Sequence, residues 1–309
     1  MATTPILPTG RLEKAAGDIP ELWLPRADIF ARRSERLRSL AVGNALESYL
    51  DFLAELTSGQ QQALNEHPAI PVPDTHFLNV CREHAMPPLA PAGRPFHPHW
   101  HEIARRLTQS AGDRLPNQGR AALQPLMEGN EAWLNAQAQY LVAGNFALVE
   151  QTTSPFLAAA LQVQWAYLAR QLDPADMGSD SPQALCPVCG SHPVAGIIKT
   201  DTASRGLRYL QCTLCGSEWH VVRAQCSQCG NDKNISYRSL DTLPNAGRAE
   251  YCPSCRSYLK LFSQEHSPLA DPVADDLATV ALDMLMDEQG AVKSGFNFFL
   301  LPTPSPSLR

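Results

Sequence analysis

The sequence predicts a multidomain α+β protein with an N-terminal all-α domain, two tandem rubredoxin-like or zinc-ribbon four-cysteine modules, and a C-terminal helix. Three observations lead to this prediction. Apolar residues recur at helical spacing in the N-terminal half, four C-x-x-C pairs follow, and a capped apolar helix comes near the end. The predicted domains are residues 1–180, 181–222, 223–266 and 267–309.

The N-terminal domain is predicted from apolar residues spaced three or four apart. This spacing predicts helices over Ile29–Leu40, Ala45–Leu64, Trp100–Thr108, Glu131–Glu150 and residues 157–172. From His67 to Pro98 prolines recur too often for a continuous helix, so we predict a long surface connection there. A linker rich in Asp, Ser, Pro and Gly, from Asp173 to Gln183, marks the main domain boundary.

The cysteines define the next part of the chain, because eight of the nine form C-x-x-C pairs. The pairs are Cys186/Cys189, Cys212/Cys215, Cys226/Cys229 and Cys252/Cys255. The step from Cys189 to Cys212 is 23 residues, and the step from Cys229 to Cys252 is again 23. This repeat indicates an internal duplication of C-x2-C-x22-C-x2-C, with one four-cysteine site in each half. An interleaved pairing is the alternative, but it leaves the repeat unexplained.

The spacing suits a metal ion, because each C-x-x-C turn (a knuckle) aims two sulfurs at one point and two knuckles complete a tetrahedron. Glycine follows the second cysteine in three knuckles and helps the turn to reach positive φ, whereas Arg256 follows Cys255. Between its knuckles each module is predicted to form a hairpin, from residues 194–199 with 207–210 and from 235–239 with 249–251.

Metal binding is the expected state of both modules. A unit of about 40 residues buries too little apolar surface to fold alone. A structural metal contributes on the order of 10–16 kcal/mol and overcomes that deficit. Tetrahedral thiolate sites accept both zinc and iron, so these residues leave the metal open. A dithiol–disulfide switch is the alternative use of C-x-x-C, but it fits a duplicated ribbon without βαβ context poorly.

The C-terminal helix is predicted to begin at Asp271 and Pro272, since Asp can cap a helix and Pro suits its first position. Its apolar face is formed by Leu277, Val280, Ala281, Met284 and Leu285. That face is too large for a free helix, and we expect it to dock on another domain. Residues 302–309 are predicted to be a frayed tail.

Composition limits the function and the compartment. A net charge of −6 and a pI near 5.8 argue against general binding of nucleic acid or anionic membranes. No stretch approaches about 18 uninterrupted apolar residues, so we predict no membrane span. The N-terminus has no basic region followed by an apolar run, and we expect a cytoplasmic protein. In that compartment, cysteines indicate metal ligands or redox thiols rather than disulfides.

A polar block joins the two modules at Glu218, Trp219, His220 and Arg223. In one interpretation Trp219 packs between the modules and the charged side chains face water. In the other the block is a docking surface for a partner protein, because positions between rigid modules often carry recognition. Outside this region, we expect solvated or capping histidines at positions 97, 99 and 101 and a partly buried thiol at Cys81.

Several motifs resemble those of the FdhE family, the accessory proteins of respiratory formate dehydrogenases. They include Cys186-Pro-Val-Cys-Gly190, Glu218-Trp-His-Val-Val-Arg223 and Ala274-Asp-Asp-Leu-Ala278, and the similarity runs from about residue 28 to 300. The block at 218–223 is the specific part, because C-x-x-C alone is common.

The resemblance implies a cytoplasmic accessory factor that is needed to produce active formate dehydrogenase, binds its catalytic subunit and is not itself an enzyme. It also implies a helical domain with two rubredoxin-like modules, and it favours iron over zinc as the metal held by the eight paired cysteines. The alternatives are a zinc-ribbon protein that binds nucleic acid and a rubredoxin-like iron redox protein.

Overall fold

The computed structural model describes residues 19–92, 96–112, 117–178, 183–240 and 247–302. Within these ranges a short first strand precedes a helical body, and six further strands come with the paired cysteines. Two helices and a last short strand follow, and all eight strands belong to one sheet. Most of the predicted C-terminal tail lies outside the described residues, as do residues 179–182 of the predicted linker and residues 241–246 of the second predicted hairpin.

Eight helices precede the cysteines in the described part of the chain. They are α1 (Ile29–Ala41), α2 (Glu47–Asn65), α3 (Thr75–Glu83), α4 (His99–Gly112), α5 (Asn117–Ala122), α6 (Gln124–Glu128), α7 (Glu131–Val142) and α8 (Ser154–Ala169). The five predicted helices are confirmed as α1, α2, α4, α7 and α8, although α7 ends before the predicted Glu150. No helix in the described ranges has the length and hydropathy that crossing a bilayer requires.

The predicted surface connection from His67 to Pro98 was wrong in one respect, because it contains α3. Asp74 caps this helix by accepting a hydrogen bond from the Phe77 backbone N–H at 2.8 Å. The helix fits between prolines because none of them falls inside it. Cys81 of α3 is only 1 % exposed, so this segment contributes to the core.

The centre of the body is α8, of which 13 of 16 residues are buried. A helix that is apolar on every side is surrounded by other elements, and α8 packs against α2, α4 and α7. Its two buried glutamine side chains need partners inside the protein. Gln162 finds one in the backbone carbonyl of Thr213, 2.8 Å away in the first cysteine module. The body and that module therefore share one interface.

The strands form one sheet rather than two separate modules. In chain order they are β1 (Leu22–Trp23), β2 (Pro193–Ile198), β3 (Arg208–Cys212), β4 (Glu218–His220), β5 (Ser236–Arg238), β6 (Arg248–Tyr251), β7 (Ser257–Ser263) and β8 (Val292–Lys293). The spatial order is β1-β4-β3-β2-β7-β6-β5, with β8 also pairing β7. Both predicted hairpins are confirmed, as β2 with β3 and β5 with β6.

The two modules join where β2 of the first pairs in parallel with β7 of the second. Gly196 lies opposite Leu261 at this junction, and a Cβ on Gly196 would be 2.8 Å from Leu261 Cδ1. The absence of a side chain therefore permits the close approach. A buried ion pair between Arg208 and Glu250, at 2.8 Å, also bridges the modules.

After β7, the chain forms α9 (Pro272–Ala278) and α10 (Val280–Glu288). The predicted start is confirmed, because Asp271 accepts a hydrogen bond from the Ala274 backbone N–H at 2.9 Å. The predicted single apolar face was wrong. Leu277 enters the main core, but Met284 is 63 % exposed.

The reason for that difference is a break at Thr279, between α9 and α10. Buried Lys260 of β7 donates hydrogen bonds to the backbone carbonyls of Asp276 at 2.6 Å and Thr279 at 3.3 Å. In a continuous helix, these carbonyls would accept hydrogen bonds from the backbone N–H groups of the next turn. The turn of the chain then directs Leu282 and Met286 of α10 toward the second module.

Candidate metal centres

The first cluster consists of Cys186, Cys189, Cys212 and Cys215, whose sulfur atoms all lie within 4.8 Å of one another. The distance from Cys189 Sγ to Cys212 Sγ is 3.4 Å, and that from Cys186 Sγ to Cys215 Sγ is 3.6 Å. Four sulfurs at tetrahedral positions around an ion at 2.3 Å would be about 3.8 Å apart. The cluster therefore has nearly the size that a metal ion requires.

Backbone geometry produces the knuckles that hold these sulfurs. The glycines after the second, fourth and sixth paired cysteines all have positive φ, between 71° and 75°. In the first knuckle this conformation lets the Gly190 N–H donate to the Cys186 carbonyl at 2.8 Å. Arg256 holds the corresponding position of the fourth knuckle at a φ of 59°, a conformation that disfavours a side chain.

Donors around the first cluster are aimed at sulfur. The backbone N–H groups of Leu214 and Cys215 donate to Cys212 Sγ at 3.3 and 3.4 Å. The hydroxyl oxygen of Ser217 lies 3.2 Å from Cys215 Sγ. Such contacts orient ligands and spread the negative charge of thiolates.

Without a cation, the first cluster cannot ionise all four thiols. Burial raises the pKa of Cys186 and Cys212 well above the usual range of a thiol. Burial also disfavours charge on Cys189, but hydrogen bonds from the neighbouring thiols outweigh it and hold its pKa well below the usual value. Of these three thiols, Cys189 therefore loses its proton most readily. A metal ion would supply the positive charge that four thiolates need.

The second cluster consists of Cys226, Cys229, Cys252 and Cys255, again with all sulfurs within 4.8 Å of one another. The pairs Cys226–Cys255 and Cys229–Cys252 are each separated by 3.7 Å between sulfurs. Burial raises the pKa of Cys226 to about 12. At Cys252 burial is outweighed by backbone N–H donors in its own knuckle, and the pKa is lowered to about 7. This cluster also fits a tetrahedral ion.

Comparison with known proteins identifies the family to which the chain belongs. The FdhE N-terminal, central and C-terminal domain models match residues 19–180, 185–223 and 224–300. The chain belongs to the FdhE family.

Named relatives and a solved structure agree with these matches. A protein of Pseudomonas aeruginosa named Protein FdhE homolog is 41 % identical over 304 residues, covering 96 % of this chain and 98 % of the relative. Protein FdhE of Salmonella enteritidis is 37 % identical over 297 residues and covers 95 % of each chain. The crystal structure of the FdhE protein from Pseudomonas aeruginosa has a TM-score of 0.80 and 40 % identity, covering 92 % of this chain and 99 % of that one.

The eight paired cysteines of this FdhE-family chain thus form two groups in chain order, not interleaved ones. Among the residues that the structure describes, no other set of three Cys, His, Asp or Glu side chains comes together as tightly. The histidines at positions 97, 99 and 101 and the ninth cysteine, Cys81, accordingly belong to no such group.

Burial differs sharply between the two clusters of this FdhE-family protein. All four cysteines of the first cluster are buried, and they belong to the main hydrophobic core. In the second cluster Cys229 and Cys255 are exposed, whereas Cys226 and Cys252 are buried. The duplicated sequence does not indicate this difference, because the burial of each cluster depends on the elements that pack against its module.

Trp219, one of the four residues predicted to bind a partner, lies inside the protein. It is 4 % exposed, and its indole N–H donates to the Gln183 carbonyl at 2.9 Å. Trp219 belongs to the main hydrophobic core. Trp219 is therefore packed, but not between the modules as that interpretation had it, because β3 and β2 separate β4 from the second module.

The other three predicted partner-binding residues reach the surface to different extents. Glu218 forms a salt bridge with Lys199 and is mostly covered. His220 is also mostly covered, and its Nδ1 lies 3.7 Å from a carboxylate oxygen of Glu21. Arg223 is exposed. Partner binding by this block stays a prediction, with Arg223 as its most accessible member.

The ion pairs that fix the modules were not predicted from the sequence. Besides the pair between Arg208 and Glu250, Arg33 of α1 contacts Asp271 at 3.1 Å. Arg208 is the one charged residue of the motif Gly206-Leu-Arg-Tyr-Leu210. A charged residue inside an otherwise buried strand is the signal that could have identified it.

Proposed function

We propose that this chain is an accessory factor needed to produce active respiratory formate dehydrogenase, and that it acts by binding the catalytic subunit of that enzyme. The observation that carries the proposal is family membership along nearly the whole chain. Three FdhE domain models match residues 19–180, 185–223 and 224–300, and the fold has a TM-score of 0.80 to an FdhE crystal structure. The family likeness therefore includes the body as well as the cysteine modules.

In this proposal the chain is not itself an enzyme, and its metal ions shape a binding protein. Four protein sulfurs complete a tetrahedral site and leave no ligand position for a substrate, as in structural metal sites. Each ion would be held by Cys186, Cys189, Cys212 and Cys215 or by Cys226, Cys229, Cys252 and Cys255. The chemistry supplied is the cross-linking of two knuckles, which fixes both hairpins of the sheet.

We propose iron as the metal, with zinc as the alternative. Both ions suit four thiolates, and the family resemblance favours iron. Metal analysis of protein purified without air decides between them, together with its visible absorption spectrum. A ferric four-thiolate site is coloured, whereas a zinc site is colourless.

The proposed setting is the cytoplasm, where the catalytic subunit would be met before it is assembled. We propose no nucleic-acid partner, because the net charge of −6 opposes binding to phosphate backbones. Glu218, His220 and Arg223 are proposed to contact the subunit. Buried Trp219 is proposed to hold β4, which carries Glu218 and His220, in place.

The test uses a host that lacks its own FdhE and expresses the tagged full chain. We expect capture of the formate dehydrogenase catalytic subunit under anaerobic, reducing conditions, together with recovery of formate dehydrogenase activity. Failure of both would contradict the proposal. Arg223→Ala should weaken capture, whereas Arg170→Ala, an equal charge change at the exposed end of α8, should not.

A further inference from the structure

The two four-cysteine clusters have the same ligands and different access to solvent. Every cysteine of the first cluster is buried, whereas Cys229 and Cys255 of the second are exposed. The exposed pair contributes one sulfur from each knuckle of its cluster. A reagent in solution can therefore reach both halves of the second site and neither half of the first.

The glycines that follow the knuckles show the cause of this difference. A Cβ placed on Gly190 or Gly216, beside the first cluster, would meet Pro87 Cγ at 3.3 Å or Ile29 Cδ1 at 2.6 Å. A Cβ on Gly230, beside the second cluster, would meet no atom within 4 Å. The helical body covers the first cluster and leaves the third knuckle open.

Hydrogen bonds also close the first cluster. The Leu89 N–H donates to the Val188 carbonyl, between the first two ligands, at 2.9 Å. Gln162 of α8 donates to the Thr213 carbonyl, between the other two ligands, at 2.8 Å. Both knuckles are thus tied to the body. In the fourth knuckle Pro253, Ser254 and Arg256 are all exposed.

The second cluster is also attached to a small core of its own. That core consists of Ala249, Tyr258, Leu282, Met286 and Ala291, separate from the main core that contains the first cluster. A region with few buried apolar contacts opens more readily than the rest of a protein. The second site can therefore open while the body stays folded.

We propose that the second cluster is a reactive site, which exchanges its metal and takes up soft electrophiles and peroxides at Cys229 and Cys255, while the first cluster is closed and structural. This division follows from access and not from ligand type. It rests on metal binding by both clusters and is independent of the proposed partner.

The reaction with a peroxide can be written with the peroxide as the two-electron oxidant. One exposed thiolate attacks a peroxide oxygen, the O–O bond breaks, and a sulfenic acid and hydroxide form. A second thiolate of the cluster then attacks the sulfenic sulfur, which releases another hydroxide and leaves a disulfide. A metal ion held by the cluster would then have lost two of its four thiolate ligands and would be released. A soft electrophile would alkylate the same sulfurs and also displace the metal.

The first experiment measures metal release from the full-length protein, purified without air, after addition of excess chelator. We expect two phases of equal amplitude, one ion leaving about tenfold faster than the other or more. In parallel, timed alkylation with iodoacetamide and peptide mapping should label Cys229 and Cys255 before any first-cluster cysteine. This mapping needs no variant, so it does not depend on how a substitution affects folding.

Two matched variants assign the phases. Cys229→Ser should remove the fast phase and keep the slow one, whereas Cys186→Ser should remove the slow phase. Equal release rates, a fast phase that persists in Cys229→Ser, or alkylation of Cys186 as rapid as that of Cys229 would overturn the proposal. Titration with hydrogen peroxide should release one ion per disulfide formed. Because no formate dehydrogenase is present, these outcomes are separate from the test of the proposed function.

Discussion

Asp275 and Asp276 are consecutive residues of α9, yet their carboxylates lie in two separate ion networks. Asp275 accepts a hydrogen bond at 3.0 Å from Arg36 of α1 in the helical body. Asp276 contacts Lys260 of β7 at 2.9 Å and Lys293 of β8 at 2.7 Å. Consecutive side chains on a helix point about 100° apart. The short helix therefore connects the body on one side with the second cysteine module on the other.

The network around Asp276 should contribute strongly to stability. Replacing Asp276 by Asn leaves the fully buried ammonium of Lys260 with fewer counter-charges, since Asp283 at 2.7 Å is also shared with Lys293. We expect Asp276→Asn to lower the free energy of unfolding by about 3–5 kcal/mol, as for other broken buried pairs. Urea unfolding measures this change. Asp287→Asn, at an exposed position of α10, is the control. A loss below about 1 kcal/mol in Asp276→Asn would contradict the expectation.

The pair between Arg208 and Glu250 should couple the two modules. Both side chains are almost fully buried, and Arg208 also donates to the carbonyls of Val222 and Gln225 at 3.3 and 2.8 Å. A double-mutant cycle with Arg208→Met and Glu250→Gln should give a coupling energy of about 0.5–3 kcal/mol. Urea unfolding of the parent, both single variants and the double variant supplies the four values. A coupling energy of zero would show that the two residues act independently.

Loss of one ligand should have different consequences in the two clusters. Cys186→Ser and Cys255→Ser should each lower the metal content from two ions per chain to one. Cys186 lies in the core shared with the helical body, so its substitution should also lower the midpoint of the main unfolding transition. Cys255 is exposed, and its substitution should leave that transition nearly unchanged. Metal analysis and circular dichroism on both variants measure the two effects, and equal shifts would be the contrary result.

The free energy of unfolding should decrease as the pH is lowered below about 6.5, because of His67. Burial lowers the pKa of His67 from its ordinary value of 6.5, and its ring stacks on Tyr167 with centroids 4.0 Å apart. As the pH falls through 6.5, the unfolded chain takes up a proton before the folded chain does. The free energy of unfolding should therefore decrease from pH 7 toward the lower folded pKa.

His67→Asn tests this expectation, because Asn does not titrate there and can still donate to the Pro68 carbonyl that His67 Nδ1 contacts at 2.8 Å. The variant should show a shallower dependence of unfolding free energy on pH between 7 and 5. Exposed His84→Asn serves as the control and should follow the parent. An unchanged slope in His67→Asn would assign the pH dependence to other groups.

Features set by neighbours in the chain were predictable. The grouping of the cysteines follows from the repeated 23-residue step, because a knuckle and a hairpin are local structures. The cap at Asp271 follows equally from the two residues that begin the helix. The sequence alone also shows that Arg256 replaces the glycine of the other knuckles, and its φ is positive like theirs. In these cases the interacting groups are close in sequence.

The remaining features were decided by partners distant in sequence. β2 meets β7 because Gly196 accommodates Leu261. Helix α9 ends at Ala278 because Lys260 binds the backbone carbonyls of Asp276 and Thr279. The different exposure of the clusters is likewise set by the helical body, which covers only the first one. The sequence by itself therefore determined which sulfurs belong together, through short-range chain geometry. Only the tertiary structure decided which of them solvent can reach, because burial depends on the packing of segments that lie far apart along the chain.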